Sequence, residues 1–232
     1  FRFIGLVVAG SISIYIIFIQ DKIKLKFIRR EKIYSYLKES LIFFISKFSN
    51  AINERTNLLL LGLFVGMGSI AFYDFVNKVI SAINLLFGTL VKVLYPHIAI
   101  SKDKLKVKKI LYFSIMISVF AYLIVCIFSK NIILIMLGKE FLSMHYLFYY
   151  FAASIPLVSI GWIIGDLFLA AFGYSKDYSF SSIIGTIFYL IIIVNLFFFN
   201  VITLYSLIIA LIARLLLLDI YRFYLCKKYK LI

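Results

Sequence analysis

Acid is what this chain has least of. Ten Asp and Glu stand against 25 Lys and Arg, and charges of both signs fill only 15% of 232 positions. A water-soluble domain covers itself with about 25% charged residues, so a soluble globular fold is excluded. Two cysteines, Cys126 in an apolar run and Cys226 near the basic C-terminus, form neither a disulfide framework nor a metal-ligand spacing. The two histidines, His97 and His145, each stand alone at the end of an apolar run, which favours interface placement over a proton relay. Two prolines and no Ser/Gly-rich stretch leave no linker to an appended soluble domain. There is no Gly-rich phosphate loop, no paired-carboxylate or nucleophile motif and no His/Cys cluster. The expectation is therefore of neither an enzyme nor a metal or cofactor protein.

What is present is apolar surface: 64% hydrophobic residues, 19% aromatic, and a mean hydropathy of +1.07. One bilayer crossing takes about 20 apolar residues. Seven runs of that order occur, at 3–20, 40–61, 70–97, 110–128, 145–172, 179–199 and 203–222. Backbone at membrane depth must satisfy its own hydrogen bonds, so runs of this length are read as helices. The fold class is an all-α polytopic membrane protein with about seven spans. The first residue is Phe1 rather than Met, and the chain is read as a piece of something longer. Its first run lacks a small-residue cleavage site and is taken as a span, not a signal peptide.

Lys and Arg set the orientation. Alternate connections hold Lys22 to Lys38, Lys102 to Lys109, Lys176, and Arg222 to Lys230, while the opposite side holds only Arg2, Lys130 and Lys139. The basic side is expected to be cytoplasmic. The formal net charge of +15 then reflects attraction to anionic lipid headgroups, and no nucleic-acid partner is expected. The linker 21–39 mixes basic with apolar residues and reads as an amphipathic segment lying on the membrane.

An ionisable group in a bilayer costs about 2.5 to 3.5 kcal/mol on insertion scales and so faces protein or water. In the second span Lys47, Asn50, Glu54 and Asn57 fall within an arc of about 80°, with Asn53 and Arg55 on its flanks. In the third, Asp74, Asn77, Lys78, Ser81, Asn84, Gly88 and Lys92 share about 120° over five turns. Helix packing would explain part of this, with Asp74 pairing Lys78 at i,i+4 and Lys92 snorkelling. A stripe through the whole membrane depth exceeds that need and favours a hydrated path. The fifth span adds Ser159, Trp162 and Asp166, with Pro156, Gly161 and Gly165 permitting a bend. The sixth and seventh spans, apart from Asn195 and a snorkelling Arg214, read as peripheral scaffold.

A basic linker, a helix ending in Glu54, Arg55 and the leucine run 58–61, a Gly-containing turn, a helix with Tyr73, Lys78 and "LYPHIA", and then "LGKEF" follow one another in this order. Over about 36–145 this pattern resembles the C-terminal lobe of bacterial polysaccharide-repeat (O-antigen type) flippases of the multidrug/oligosaccharidyl-lipid/polysaccharide exporter superfamily.

The resemblance implies a MATE-like architecture of two six-helix lobes. Residues 1–20 would be the last helix of the first lobe, 21–39 the linker, 40–222 the second lobe and 223–232 a basic cytoplasmic tail. It implies transfer of undecaprenyl-diphosphate-linked oligosaccharide across the bacterial inner membrane by alternating access, with the remaining first lobe and membrane lipids as partners. In that role Lys47, Arg55, Lys78 and Lys92 would offer cations to phosphate, and Asn50, Asn53, Asn57, Asn77 and Asn84 amides to sugar hydroxyls. Glu54, Asp74 and Asp166 would be candidate carboxylates for H⁺ or Na⁺ coupling, with no other cofactor. A drug or cation antiporter of the same superfamily shares the architecture. A membrane polysaccharide polymerase is disfavoured by an outer loop at 129–144 carrying only Lys130, Lys139 and Glu140 as charges.

Overall fold

The computed structural model describes positions 5, 7, 8, 10–12, 15, 16 and 30–232; side chains at 30–33, 35, 36, 38, 39, 42, 43, 47, 50 and 54 are outside the description. Most of the expected first span and the linker at 21–29 therefore lie outside the described residues. The chain divides into two compact units, Phe1–Ser40 and Leu41–Ile232, and the second holds the features below.

Among the described residues every regular element is helical. Helix α1 spans Arg30–Phe64, α2 Met67–Ser101 and α3 Lys104–Met136. A 3₁₀ turn, Lys139–Met144, leads into α4, His145–Ala152, α5, Ser154–Trp162, and a π-helix, Ile163–Ala170. Helices α6, Ser175–Phe198, and α7, Leu204–Lys228, complete the chain. Five stretches of the described residues are long and apolar enough to cross a membrane: Met67–Ser101, Lys104–Met136, Lys139–Ala170, Ser175–Phe198 and Leu204–Lys228. The protein is an all-α polytopic membrane protein.

Local chemistry ends and restarts these helices. Gly66 and Gly138 take φ of 115° and 92°, a region closed to most side chains, and so turn the chain before α2 and after α3. Lys102 closes α2 in the left-handed conformation, its N–H donating to Ile98 O. Asp103 then caps α3, its carboxylate accepting from Lys106 N at 3.0 Å. Thr203 and Ser206 form a reciprocal capping box at the start of α7. A 35-residue helix such as α2 is about 50 Å long at 1.5 Å per residue, so it exceeds the hydrocarbon thickness of about 30 Å.

The span built from α4, α5 and the π-helix is the most buried of the five, and the others pack around it. Helix α7 lies along α6 and also meets α5 and the π-helix; α3 meets α4 and α5, and α2 meets α5 and the π-helix. Two apolar clusters result. One joins Phe72, Phe148, Ile155, Tyr189 and Leu207, the other Ile98, Val107, Ile163, Leu167 and Phe168. Trp162 packs against both. Outward-facing residues of α3, including Tyr112, Met116, Phe120, Ile127 and Ile135, are exposed, as lipid contact requires.

The last span differs from its sequence reading. Helix α7 runs to Lys228, beyond the expected end at 222, and the residues after it are tied down. Tyr229 stacks on Tyr174 at 3.9 Å between ring centroids, and Lys230 O accepts from Lys104 Nζ at 2.8 Å.

Candidate functional site

A cavity of about 440 Å³ opens among the spans. Its wall takes Asn53 from α1, Tyr73, Asn77 and Asn84 from α2, Trp162 from α5, Ser182 from α6, and Arg214, Asp219 and Arg222 from α7. Four of the asparagines anticipated from the helical wheels can be placed here or beside it. Asn53 is 1% exposed; its Nδ2 donates to Ser49 O at 2.9 Å and to Thr186 Oγ1 at 2.8 Å, pinning α1 to α6. Asn57 is fully buried and bridges two tyrosines. Its Nδ2 donates to the Tyr73 hydroxyl at 2.8 Å, and its Oδ1 accepts from the Tyr189 hydroxyl. That network occupies Asn57 and leaves it off the cavity wall. Asn77 and Asn84 line the wall.

Arg222 is the best-held side chain in this region. It is 5% exposed; Nε donates to Ser181 Oγ at 2.9 Å, Nη2 to Ser182 Oγ at 3.0 Å, and Nη1 to the Gly161 carbonyl at 2.9 Å. The guanidinium carbon lies 4.6 Å from the centre of the Tyr178 ring, a cation–π contact. Small residues make room for it. A methyl at Gly161 would lie 2.7 Å from Asp219 Oδ1 and 3.4 Å from Arg222 Nη1, and one at Gly165 would enter the Tyr178 ring. Asp166, on the π-helix, acts electrostatically on both Tyr178 and Arg222.

Sequence reading missed this half of the site. It took Arg222 as a juxtamembrane base, Arg214 as snorkelling and the last two spans as scaffold. The structure buries Arg214 to 7% exposure and Arg222 to 5%, and makes α7 a wall of the cavity. The available signal was the small-residue set Gly161, Gly165, Ser181, Ser182 and Gly185 on the spans facing α7. Asp219 was not singled out either.

The anticipated bases lie elsewhere. Arg55 and Asp74 line a separate open hollow of about 570 Å³ between α1 and α2, walled by Leu58, Met67 and Ile70. Asp74 is engaged by Lys78, Nζ to Oδ2 2.6 Å, as i,i+4 spacing allows. Arg55 and Lys92 are exposed. Backbone at Lys47, Asn50 and Glu54 is helical, and their side chains are outside the described residues. His97 is engaged by Lys106, whose Nζ is 2.7 Å from Nε2. Both cysteines are free thiols.

A helical bundle with apolar outer faces and an inward cavity lined by polar and charged side chains defines a multi-pass membrane protein. Residues 2–102, which include α1 and α2, match the family model described as polysaccharide biosynthesis protein, and over that segment the chain carries the family's sequence pattern. No curated protein and no solved structure matches the chain.

Proposed function

We propose that the protein translocates undecaprenyl-diphosphate-linked oligosaccharide repeat units across the bacterial inner membrane, for O-antigen or another surface polysaccharide, as a transporter rather than an enzyme. The observation that carries the reading is the polar cavity on Asn53, Asn84, Asp219 and Arg222, set within apolar spans of a chain whose first hundred residues match a polysaccharide biosynthesis family. A diphosphate and its sugars cannot cross hydrocarbon unaided, and a cavity lined by hydrogen-bonding groups replaces the water they lose.

In this reading the basic ends of the spans are cytoplasmic, and a first lobe completes the path opposite the exposed faces of α1 and α2. Lys47, Arg55, Lys78 and Lys92 serve the phosphates, Asn50, Asn53, Asn77 and Asn84 serve sugar hydroxyls, and Glu54, Asp74 or Asp166 couples transport to H⁺ or Na⁺. The test is replacement of Arg55 and Lys78 singly by Ala in cells that depend on this protein, with surface polysaccharide as the readout. Loss of polymer at normal protein level supports the reading. Normal polymer in both strains removes those bases from the mechanism.

A further inference from the structure

Oxygen acceptors without donors gather around the α-helical cavity. Asn53 Oδ1 from α1, Asn84 Oδ1 from α2 and Asp219 Oδ2 from α7 are each buried with no hydrogen-bond partner, and all three residues line the cavity. The orientation of the Asn53 amide is not in question, because its Nδ2 points at a carbonyl, Ser49 O, which can only accept. A buried acceptor left without a donor is costly, and three on separate helices facing one space suit a ligand that brings donors.

Two arginines, Arg214 and Arg222, stand on the cavity wall, and neither is free. The three nitrogens of Arg222 are each committed to Ser181, Ser182 or Gly161. A phosphate is made only of acceptors and would face those same orphaned oxygens. A single cation would satisfy acceptors converging on one point. Here the acceptors stand on three helices around about 440 Å³, against a share of liquid volume of about 30 Å³ for one water. The described residues hold no cluster of three His, Cys, Asp or Glu. Trp162 adds an aromatic ring to the same wall, set against Gly88, where even a methyl would lie 2.7 Å from the indole.

We propose that this cavity is a subsite for a neutral sugar ring, with Asn53, Asn84 and Asp219 accepting from its hydroxyls and Trp162 packing on its C–H face, and that it excludes the diphosphate. This deepens the translocation reading and rests on it: the substrate is divided, its glycan inside the bundle and its anionic group at the basic residues of α1 and α2.

Trp162 is the sole tryptophan in the sequence, so its emission reports on this cavity alone. The experiment titrates the purified protein in detergent with a panel of neutral mono- and disaccharides, with inorganic pyrophosphate, and with sodium chloride against choline chloride. The expected result is a saturable emission change with at least one sugar and none with pyrophosphate or sodium. Asn84→Leu weakens that sugar at least tenfold, while Asn84→Asp, which keeps an acceptor oxygen, stays within about threefold. A flat response to every sugar, or saturation by pyrophosphate or sodium, overturns the assignment. Saturable sugar binding that Asn84→Leu weakens tenfold, together with normal surface polysaccharide in the Asn84→Leu strain, leaves the subsite standing and sinks the translocation reading; loss of polymer on Arg55→Ala with no sugar response does the reverse.

Discussion

Arg222 Nη1 donates to the carbonyl of Gly161 across 2.9 Å, joining the last span to a residue two positions before the π-helix begins. With Ser181 and Ser182 completing the fork, one side chain ties three spans together beside the cavity.

Replacing Arg222 by Lys keeps the charge and loses the fork. A lysine ammonium is a point donor on a flexible stem and cannot reach three acceptors in fixed directions. With interhelical hydrogen bonds in membranes averaging about 0.6 kcal/mol, and more where a charge is involved, we expect a loss of about 1–3 kcal/mol. A lowered thermal midpoint in detergent for Arg222→Lys, with a larger drop for Arg222→Ala, is the measurement.

Asn57→Leu removes the acceptor of the Tyr189 hydroxyl in a fully buried position. The stranded phenol costs about 1–3 kcal/mol. Pairing the change with Tyr189→Phe, which removes the stranded group, should restore part of the loss. Thermal unfolding of the single and double variants checks this.

Gly88→Ala forces its methyl onto the Trp162 ring. Overpacking of this kind costs about 1–3 kcal/mol, and because the indole must move, the emission maximum should shift. An unchanged emission spectrum would mean that the ring does not lie against α2.

Tyr229, beyond the end of α7, donates its hydroxyl to Asp177 Oδ2 at 3.0 Å. That hydrogen bond to a carboxylate raises the phenol above its ordinary value. A group raised in the folded protein stabilises it fully below its unfolded value of about 10, and that contribution is lost as pH rises through the folded value. Asp177→Asn should therefore bring the Tyr229 phenolate absorbance to lower pH. The difference between each protein and its Tyr229→Phe counterpart isolates the signal.

Length and hydropathy made the spans legible from sequence, and the i,i+4 spacing of Asp74 and Lys78 made their ion pair legible. The inward turn of Arg222 was not, because Lys and Arg at the end of an apolar run look alike whether they snorkel or fold back. What decides is the neighbour: Ser181 and Ser182 on α6, and glycines at 161 and 165 that let α7 approach. Those contacts join residues about forty to sixty positions apart, outside the reach of a helical wheel. The wheel likewise grouped Asn57 with Asn53, although a tertiary contact with Tyr189 takes Asn57 out of the cavity wall.

The most direct test reconstitutes the protein into liposomes carrying a lipid-diphosphate-linked oligosaccharide in both leaflets, strips the outer-leaflet sugars with an added glycosidase, and follows further sugar release. Continued release that depends on the protein and stops with Asn84→Leu is the predicted result. Release that halts at the outer-leaflet pool, with and without protein alike, would contradict the account.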